Sequence, residues 1–415
     1  MHSTSTVSPE ARTSNLYWLN NMNAIFNGLT SDLENIKGLK TPCYVIDEKK
    51  LIRNAEVLAS VISRTGCKIL LAQKAFSNYD FYPLLSGYIS GTEASGLFEA
   101  RLGKEEMPSK EVHVFCAAYR DDEFDELLDY ADHIVFNSIN QLKKFGRKAK
   151  DHGKSIGLRI NPECSTQEGH EIYDPCAKGS RLGVTRSILD REMTPDVLEM
   201  LDGIHFHTLC EQNSDALEIT LKAVEEKFGD ILPSMKWINM GGGHHITKDD
   251  YDVAKLESLI VYTKDKWGVE VYLEPGEAVA LNAGYLLSRV LDIVENGDDK
   301  IAILDASAAC HMPDVIEMPY TPPLMNAVTD DTKPFRYRLA GPTCLSGDVI
   351  GDYSFDSELE TGDMLVFGDM AIYTTCKNNT FNGMPLPDIF RLGSDGSIEK
   401  LTGFGYRDFK ERLGN

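Results

Sequence analysis

Eight short apolar runs recur between about Leu39 and Asn282, and they constrain the fold of this chain more than any other feature. Most of these runs are nearly continuous rather than alternating, which is typical of parallel strands buried on both faces. Segments with helical periodicity lie between them, for example at 121–131, 138–153 and 214–229. We predict strands at 68–73, 88–91, 112–116, 133–136, 156–160, 203–206, 236–240 and 270–274.

Eight strand-and-helix units within about 240 residues indicate a (β/α)8 barrel, with an open doubly wound sheet as the alternative. Beyond Asn282 the helical periodicity fades, and short strands alternate with Gly, Pro, Asn and Asp, which indicates a mainly β second domain. The early segment 41–47 has the same strand character and is compatible with pairing to that domain. We therefore expect an α/β chain with a partly disordered extension at 1–37, a barrel at 38–282 and a β domain at 283–415.

The net charge of −22 narrows the range of partners. Such acidity argues against nucleic acid, whose binding needs a basic footprint. It weakly favours a cationic partner, although acidic surfaces also keep many proteins soluble. The longest apolar runs fall well short of the ~20 residues of a membrane span, so we expect no membrane association.

Nine cysteines are scattered along the chain, and no pair has Cys-x-x-Cys spacing. An odd number with irregular spacing argues against a disulfide framework or a structural zinc site and favours a reducing compartment. The polar N-terminus lacks the apolar core of a signal peptide. We therefore expect a cytoplasmic protein that holds no metal ion.

Polar residues follow several predicted strands, and in a barrel these positions share the face that carries active sites. Lys74 follows the first strand, His207 the sixth and Gly241–Gly243 the seventh, while Glu274 ends the eighth. A lysine directly after an apolar run suits Schiff-base chemistry, because burial lowers the pKa of its amine. An ordinary surface lysine is the alternative. The glycines could form a tight turn or present backbone N–H groups to a phosphate.

A zinc or iron centre at the barrel mouth is a rival chemistry. Its ligands would be His205, His207, His244, His245 and Glu274. Such a centre would explain neither Lys74 nor the triple glycine. Taken alone, His207 is also compatible with a buried core histidine whose ring is hydrogen-bonded and has no role in catalysis. Glu211, just beyond it, is compatible with a helix-start residue.

Taken together, these motifs resemble those of the fold-type III pyridoxal-phosphate decarboxylases, which include ornithine, arginine and diaminopimelate decarboxylases and are similar to alanine racemase. The resemblance covers roughly residues 38–400. Its motifs, in the family's order, are LAQKAFS, SRLG, FHTLCE, MGGG, EPGE, GPTCLSGD and AIYTTCKNNTFNG.

The resemblance implies pyridoxal 5′-phosphate as the cofactor. Lys74 would bind it through a Schiff base, His207 would stack on its ring, and Glu274 would pair with its pyridine nitrogen. The residues at its phosphate and nearby would be Gly241, Gly242, Gly243, Gly276 and Tyr373. Cys344 would reach the active site of a partner chain and reprotonate the substrate Cα, which implies a homodimer with active sites at its interface.

Departures from the family pattern concern the substrate. Glu277 stands where the family has arginine, and Leu345 where diaminopimelate decarboxylases have glutamate. A carboxylate at 277 suits an amine and opposes a distal carboxylate. Asp314 matches a substrate-binding aspartate of the members that act on carboxynorspermidine, although both acids are also compatible with solvated loop residues.

These features imply decarboxylation of carboxynorspermidine or carboxyspermidine, small cationic amino acids with a polyamine tail, in polyamine biosynthesis. The alternatives are a decarboxylase of ornithine, lysine, arginine or diaminopimelate, and a non-catalytic pyridoxal-phosphate-binding protein.

Overall fold

The computed structural model describes residues 35–167 and 174–414 of the chain. It divides into two compact units, of which one is Ile52–Val279 and the other combines the described residues up to Leu51 with those from Ala280 onward. The first unit is a closed eight-stranded parallel barrel and the second is built on a β-sheet. The predicted fold class is thus confirmed. The disorder predicted for the N-terminal extension concerns mainly residues 1–34, which lie outside the described residues.

The first strand of the chain, β1 (Cys43–Asp47), belongs to the sheet unit, and the next eight strands form the barrel in chain order. These barrel strands are β2 (Lys68–Ala72), β3 (Gly91–Ala94), β4 (Glu111–Phe115), β5 (His133–Phe136), β6 (Ser155–Arg159), β7 (Gly203–His205), β8 (Trp237–Asn239) and β9 (Glu270–Leu273). The barrel closes because β2 pairs with β9 as well as with β3.

Strand β3 lies three residues further along the chain than the sequence predicts. Its first residue, Gly91, packs against β4 so closely that a Cβ would lie 2.0 Å from the carbonyl oxygen of Glu111. Its next two residues, Thr92 and Glu93, are polar and buried. A pattern of apolar residues therefore does not mark this strand, which contains the buried carboxyl group of Glu93.

A large aromatic side chain fills the barrel where two strands have glycine. The indole of Trp237 on β8 lies against Gly157 and Gly203, so that a Cβ on either would come within 2.3 Å and 2.1 Å of it. Trp237 also packs with Leu70, Val135 and Tyr272. The interior is therefore a packed core, which leaves the strand ends to form the site.

Helices fill the connections of the barrel. Ser138, Asn213 and Asp252 each begin one by accepting a hydrogen bond from a backbone N–H of its first turn, which has no partner within the helix. The helices from Glu48 to Ala280 are Glu48–Thr65, Tyr82–Leu85, Leu97–Glu106, Phe124–Tyr130, Ile139–Asp151, Arg186–Glu192, Pro195–Leu198, Ser214–Phe228, Val253–Trp267 and Glu277–Ala280. Across the described residues, every helix is too short or too polar to span a membrane.

The sheet unit is organised around β1, which pairs antiparallel with β10 (Gly284–Asn296) and parallel with β15 (Asp388–Leu392). Its other strands are β11 (Asp299–Leu304), β12 (Phe335–Ala340), β13 (Val349–Phe355), β14 (Met364–Gly368) and β16 (Ile398–Thr402). Their order is β13-β12-β11-β10-β1-β15-β16, and β14 also pairs with β10. Short helices are Ala308–His311, Asp314–Glu317, Thr374–Lys377 and Tyr406–Glu411.

Candidate active site at the barrel mouth

A buried carboxylate directly after β9 organises the barrel mouth. Glu274 is 4% exposed, and its Oε2 lies 3.0 Å from Nε2 of His205, the last residue of β7. Its Oε1 accepts a hydrogen bond of 2.5 Å from Asn239, the last residue of β8. Burial opposes ionisation, but His205 and Asn239 outweigh it and hold the pKa of Glu274 below its usual range. Glu274 is therefore a fixed, buried anion.

A second buried carboxyl group, Glu93 on β3, has the opposite character. It is also 4% exposed. Burial and the negative charge of Glu274 raise its pKa, against the opposing charges of Lys74 and Arg159. Glu93 is thus a neutral acid near an anion. Two carboxyl groups whose environments push their pKa values apart are typical of acid–base sites.

Lys74 lies in a turn just beyond β2, closed by a 3.1 Å hydrogen bond from the Ala75 N–H to the Ala72 carbonyl. Gln73 and Ala75 on either side are buried, but the side chain of Lys74 is exposed. Of the two alternatives that the sequence leaves open, the structure thus shows the exposed lysine, because the apolar run ends two residues earlier, at Ala72. The Schiff-base role of Lys74 stays a prediction.

His207 lies two residues beyond β7, and its ring is held by the glycine loop. The N–H of Gly242 donates to Nδ1 of His207 at 3.2 Å. Burial and the charges of Lys74 and Arg159 hold the pKa of His207 well below its usual value. The ring is therefore neutral and fixed, which suits stacking on another aromatic ring.

The triple glycine after β8 is required by close packing. A Cβ on Gly241 would lie 2.4 Å from the carbonyl oxygen of Phe206, and one on Gly243 would lie 2.0 Å from that of Leu209. Both glycines also have positive φ values, 69° and 81°. The N–H of Gly241 donates to Oδ1 of Asn239, so the loop also orients the side chain that donates a hydrogen bond to Glu274. A loop without side chains allows the backbone to approach a phosphate closely.

The histidines of the rival metal site have separate partners. The contacts are His205 with Glu274, His207 with the Gly242 N–H, His244 with the Met240 carbonyl and His245 with Glu277. Among the described residues, no three of the five side chains of this rival site bring potential ligand atoms within 4.8 Å of one another, as the ligands of one metal ion must.

Two carboxylates and an imidazole lie together at the edge of the mouth. Oε2 of Glu277 lies 3.2 Å from Nε2 of His245. Glu211 joins them, since one potential ligand atom from each of the three residues lies within 4.8 Å of the others. The sequence offers Glu211 only as a helix-start residue, and its loop position hides this proximity. The group presents negative charge suited to an amine.

The predicted residues of the sheet unit lie on its loops or, for Asp314, at the start of the short helix Asp314–Glu317. Cys344 is exposed, and its backbone N–H donates to Oδ1 of Asn382 at 2.7 Å. Tyr373 has a φ of 56° and immediately precedes the helix Thr374–Lys377. Asp314 forms an ion pair with Lys377, so its carboxylate already has a cationic partner.

A family model of pyridoxal-dependent decarboxylases, described as their C-terminal sheet domain, matches residues 43–371. The carboxynorspermidine/carboxyspermidine decarboxylase of Campylobacter jejuni is 44% identical over 385 residues, which are 90% of this chain and 98% of that protein. The carboxyaminopropylagmatine decarboxylase of a Synechocystis species is 39% identical, over 92% of this chain and 98% of that protein. The crystal structure of carboxynorspermidine decarboxylase from C. jejuni complexed with norspermidine gives a TM-score of 0.83 at 44% identity and covers 90% of this chain and 100% of that chain.

Proposed function

Because the chain belongs to the pyridoxal-dependent decarboxylase family, we propose that it removes the α-carboxyl group of carboxynorspermidine or carboxyspermidine and yields the corresponding triamine. The observation that carries this assignment is the 44% identity to the C. jejuni enzyme over 98% of its length. The negative group formed by Glu211 and Glu277 at the barrel mouth supports a substrate with a cationic tail.

The residues of the barrel mouth fit pyridoxal 5′-phosphate. The glycine loop forms a cradle that a Cβ would fill, as the 2.4 Å and 2.0 Å contacts at Gly241 and Gly243 show. Lys74 would bind the cofactor, and Glu274 would lie at its pyridine nitrogen. The resemblance adds Gly276 and Tyr373 as further contacts. When bound, the cofactor supplies a sink for the electron pair that departing CO2 leaves at Cα.

The protein's own groups set the charge of this site. Glu274 is held ionised by His205 and Asn239, so it can keep a proton on a neighbouring ring nitrogen. Glu93 is neutral because of its burial and the charge of Glu274, and it therefore adds no second buried anion. The fixed ring of His207 offers a flat, uncharged surface.

The proposal includes a homodimer in which Cys344 of one protomer returns a proton to the substrate Cα in the other. Cys344 is exposed, and the hydrogen bond from its N–H to Asn382 fixes its backbone. An exposed thiol suits a donor to a neighbouring chain. All nine cysteines are free, which agrees with a cytoplasmic location.

A second candidate substrate is carboxyaminopropylagmatine, the compound for which the Synechocystis relative is named. Its agmatine part ends in a guanidinium group, and paired carboxylates such as Glu211 and Glu277 bind guanidinium well.

The proposal is tested by product identification with the purified holoenzyme. We expect mass spectrometry to detect the triamine and CO2 from carboxynorspermidine and carboxyspermidine, and Lys74→Ala to lose both the bound-cofactor absorbance and product formation. Product from carboxyaminopropylagmatine with none from the carboxy-triamines would replace the first candidate by the second. No product from any of them would refute both.

A further inference from the structure

Two histidines and a glutamate lie together at the end of the barrel opposite its mouth. Glu111 begins β4, His113 lies two positions later on the same face of that strand, and His133 begins β5. His113 and His133 stand opposite each other in the pairing of the two strands. One potential ligand atom from each of the three residues lies within 4.8 Å of the others. They are therefore a group of potential metal ligands that is separate from the candidate active site at the carboxyl ends of the strands.

The two imidazole rings contain buried nitrogen atoms that hydrogen bonds do not satisfy. His113 is 1% exposed, and its Nε2 lies 3.2 Å from Oε2 of Glu111. Nδ1 of His113 and Nδ1 of His133 are both buried, and neither has a hydrogen-bond partner in the part of the chain that the structure describes. Polar atoms in a protein interior are nearly always paired, and an exception points to a bound water or ion.

Lys68, the first residue of β2, carries the positive charge beside these side chains. Its Nζ pairs with Glu111 and lies 3.2 Å from Oε1 of Glu270 and 3.1 Å from the hydroxyl of Tyr272. Two carboxylates and one ammonium leave one negative charge, so a further cation is attracted here. The side chains of Lys68 and Glu111 are 30% and 31% exposed, which gives an ion a path from solvent. When a metal ion takes the Glu111 carboxylate, the ammonium keeps Glu270 and Tyr272 as partners.

We propose that Glu111, His113 and His133 form a binding site for one divalent transition-metal ion, of which Zn²⁺ is the representative. Imidazole nitrogen and carboxylate oxygen are both ligands of zinc, whereas Mg²⁺ and Ca²⁺ bind through oxygen atoms. The ion provides a partner for imidazole nitrogens that hydrogen bonds do not satisfy. It also joins β4 to β5 at the end of the barrel whose residues contribute to stability rather than to catalysis.

Binding of the ion requires one of the two rings to turn. The rings of His113 and His133 are stacked, with centroids 3.9 Å apart and an angle of 11° between their planes. An ion lies in the plane of each imidazole that binds it, so two parallel rings cannot share one ion. Because His133 is half-buried and its Nδ1 has no partner among the described residues, its ring turns about the Cβ–Cγ bond without losing a hydrogen bond at that atom. His133 is therefore the ligand that moves.

The site is tested by counting zinc ions on the purified holoenzyme. The protein is treated with a chelator and dialysed against increasing free Zn²⁺, and the zinc bound per chain is measured by elemental mass spectrometry. All nine cysteines are free and also bind zinc, so the difference between variants is the informative quantity. We expect the wild type to bind about one Zn²⁺ more than His133→Phe, which keeps an aromatic ring and lacks its nitrogens. His152→Phe, at an exposed histidine, is the matched control and should bind as much zinc as the wild type.

A further variant tests the competition between lysine and metal ion. Because the Lys68 ammonium competes for the Glu111 carboxylate, Lys68→Met should bind this Zn²⁺ roughly tenfold more tightly. Zinc should also raise the melting temperature of the wild type more than that of His133→Phe. If His133→Phe does not fold, Glu111→Gln replaces it and should lose the same ion. Equal zinc binding by the wild type and the ligand variant, or binding by Lys68→Met no tighter than that of the wild type, would overturn the inference.

Discussion

Glu93 and Glu274 have the same exposed fraction, 4%, yet their neighbours drive their pKa values in opposite directions. Burial opposes the charge of both groups, but hydrogen bonds to His205 and Asn239 lower the pKa of Glu274. Burial and the charge of Glu274 raise the pKa of Glu93. The barrel mouth therefore holds one anion and one neutral acid, and the anion is the group that the proposed chemistry needs beside a protonated ring nitrogen.

Substitution His205→Ala removes the 3.0 Å contact that stabilises the Glu274 carboxylate. A hydrogen bond to a charged group contributes ~1.5–3 kcal/mol, so we expect kcat to fall about 10- to 100-fold. The acid side of the pH profile of kcat should also move to higher pH, because Glu274 then accepts a proton more readily. His152→Ala, at an exposed histidine, is the control. If His205→Ala keeps the wild-type kcat and its pH profile is not shifted, His205 does not stabilise the Glu274 carboxylate.

Glu93→Gln keeps the shape of the neutral acid and removes its titration. Because the pKa of Glu93 is raised in the folded chain, its stabilising contribution is complete below the unfolded pKa of ~4.3 and is lost as pH rises through the folded pKa. As pH rises between these two pKa values, the free energy of unfolding should therefore fall less for Glu93→Gln than for the wild type. Urea denaturation at about pH 5 and about pH 9 measures the difference.

The matched control for this substitution is Glu105→Gln, at a half-exposed carboxylate that pairs with Arg101 on its own helix. The free energy of unfolding of Glu105→Gln should change between these two pH values as it does in the wild type. Equal pH dependence of Glu93→Gln and the wild type would mean that Glu93 is charged in the folded protein.

The strands of the barrel could be predicted largely because they are apolar runs buried on both faces. Apart from β3, the predicted bounds agree with the structure to within one residue at each end. Strand β3 escapes this pattern because Thr92 and Glu93 point polar side chains into a buried environment. The roles assigned to the site residues remain predictions from the resemblance.

The partners of the site residues could not be predicted, because they come from distant segments. His205 and Asn239 lie 69 and 35 residues before Glu274. Lys377 lies 63 residues after Asp314. The rule that strand ends share one face of a barrel identifies which side chains share the mouth, but not which atoms form hydrogen bonds.

The glycine loop after β8 should not tolerate a side chain. Gly243→Ala would place a Cβ 2.0 Å from the Leu209 carbonyl oxygen, at a φ of 81°. We expect destabilisation of more than ~3 kcal/mol and loss of the bound-cofactor absorbance. Gly268→Ala separates the steric clash from the strain of a positive φ. Gly268 has a φ of 64°, but no atom lies within 4 Å of its Cβ position. Only about 1 kcal/mol is expected there, and equal thermal shifts in both variants would contradict the steric explanation.

The proposed dimer predicts that two inactive chains complement each other. Lys74 and Cys344 belong to different units of the chain. If each active site takes Lys74 from one protomer and Cys344 from the other, hybrids of Lys74→Ala and Cys344→Ala contain one intact site. Random mixing should then restore about a quarter of wild-type activity. The mixture of Lys74→Ala with the double variant is the control, since none of its hybrids has an intact site. No recovery in the first mixture, with hybrids formed, would exclude a shared site.

The chain carries a net charge of −22, and its candidate site places Glu211 and Glu277 together at the barrel mouth. A cationic substrate is therefore favoured both by the field of the protein and by local contacts. These groups repel a distal carboxylate. We therefore expect the enzyme to discriminate strongly in favour of the carboxy-triamines and against diaminopimelate.

The ratio of kcat/KM for carboxynorspermidine to that for diaminopimelate, measured by CO2 release from the same holoenzyme, is the most direct measurement. Juxtaposed like charges cost several kcal/mol, so the ratio should exceed about 100. A ratio of one or less would contradict the assignment of a polyamine substrate.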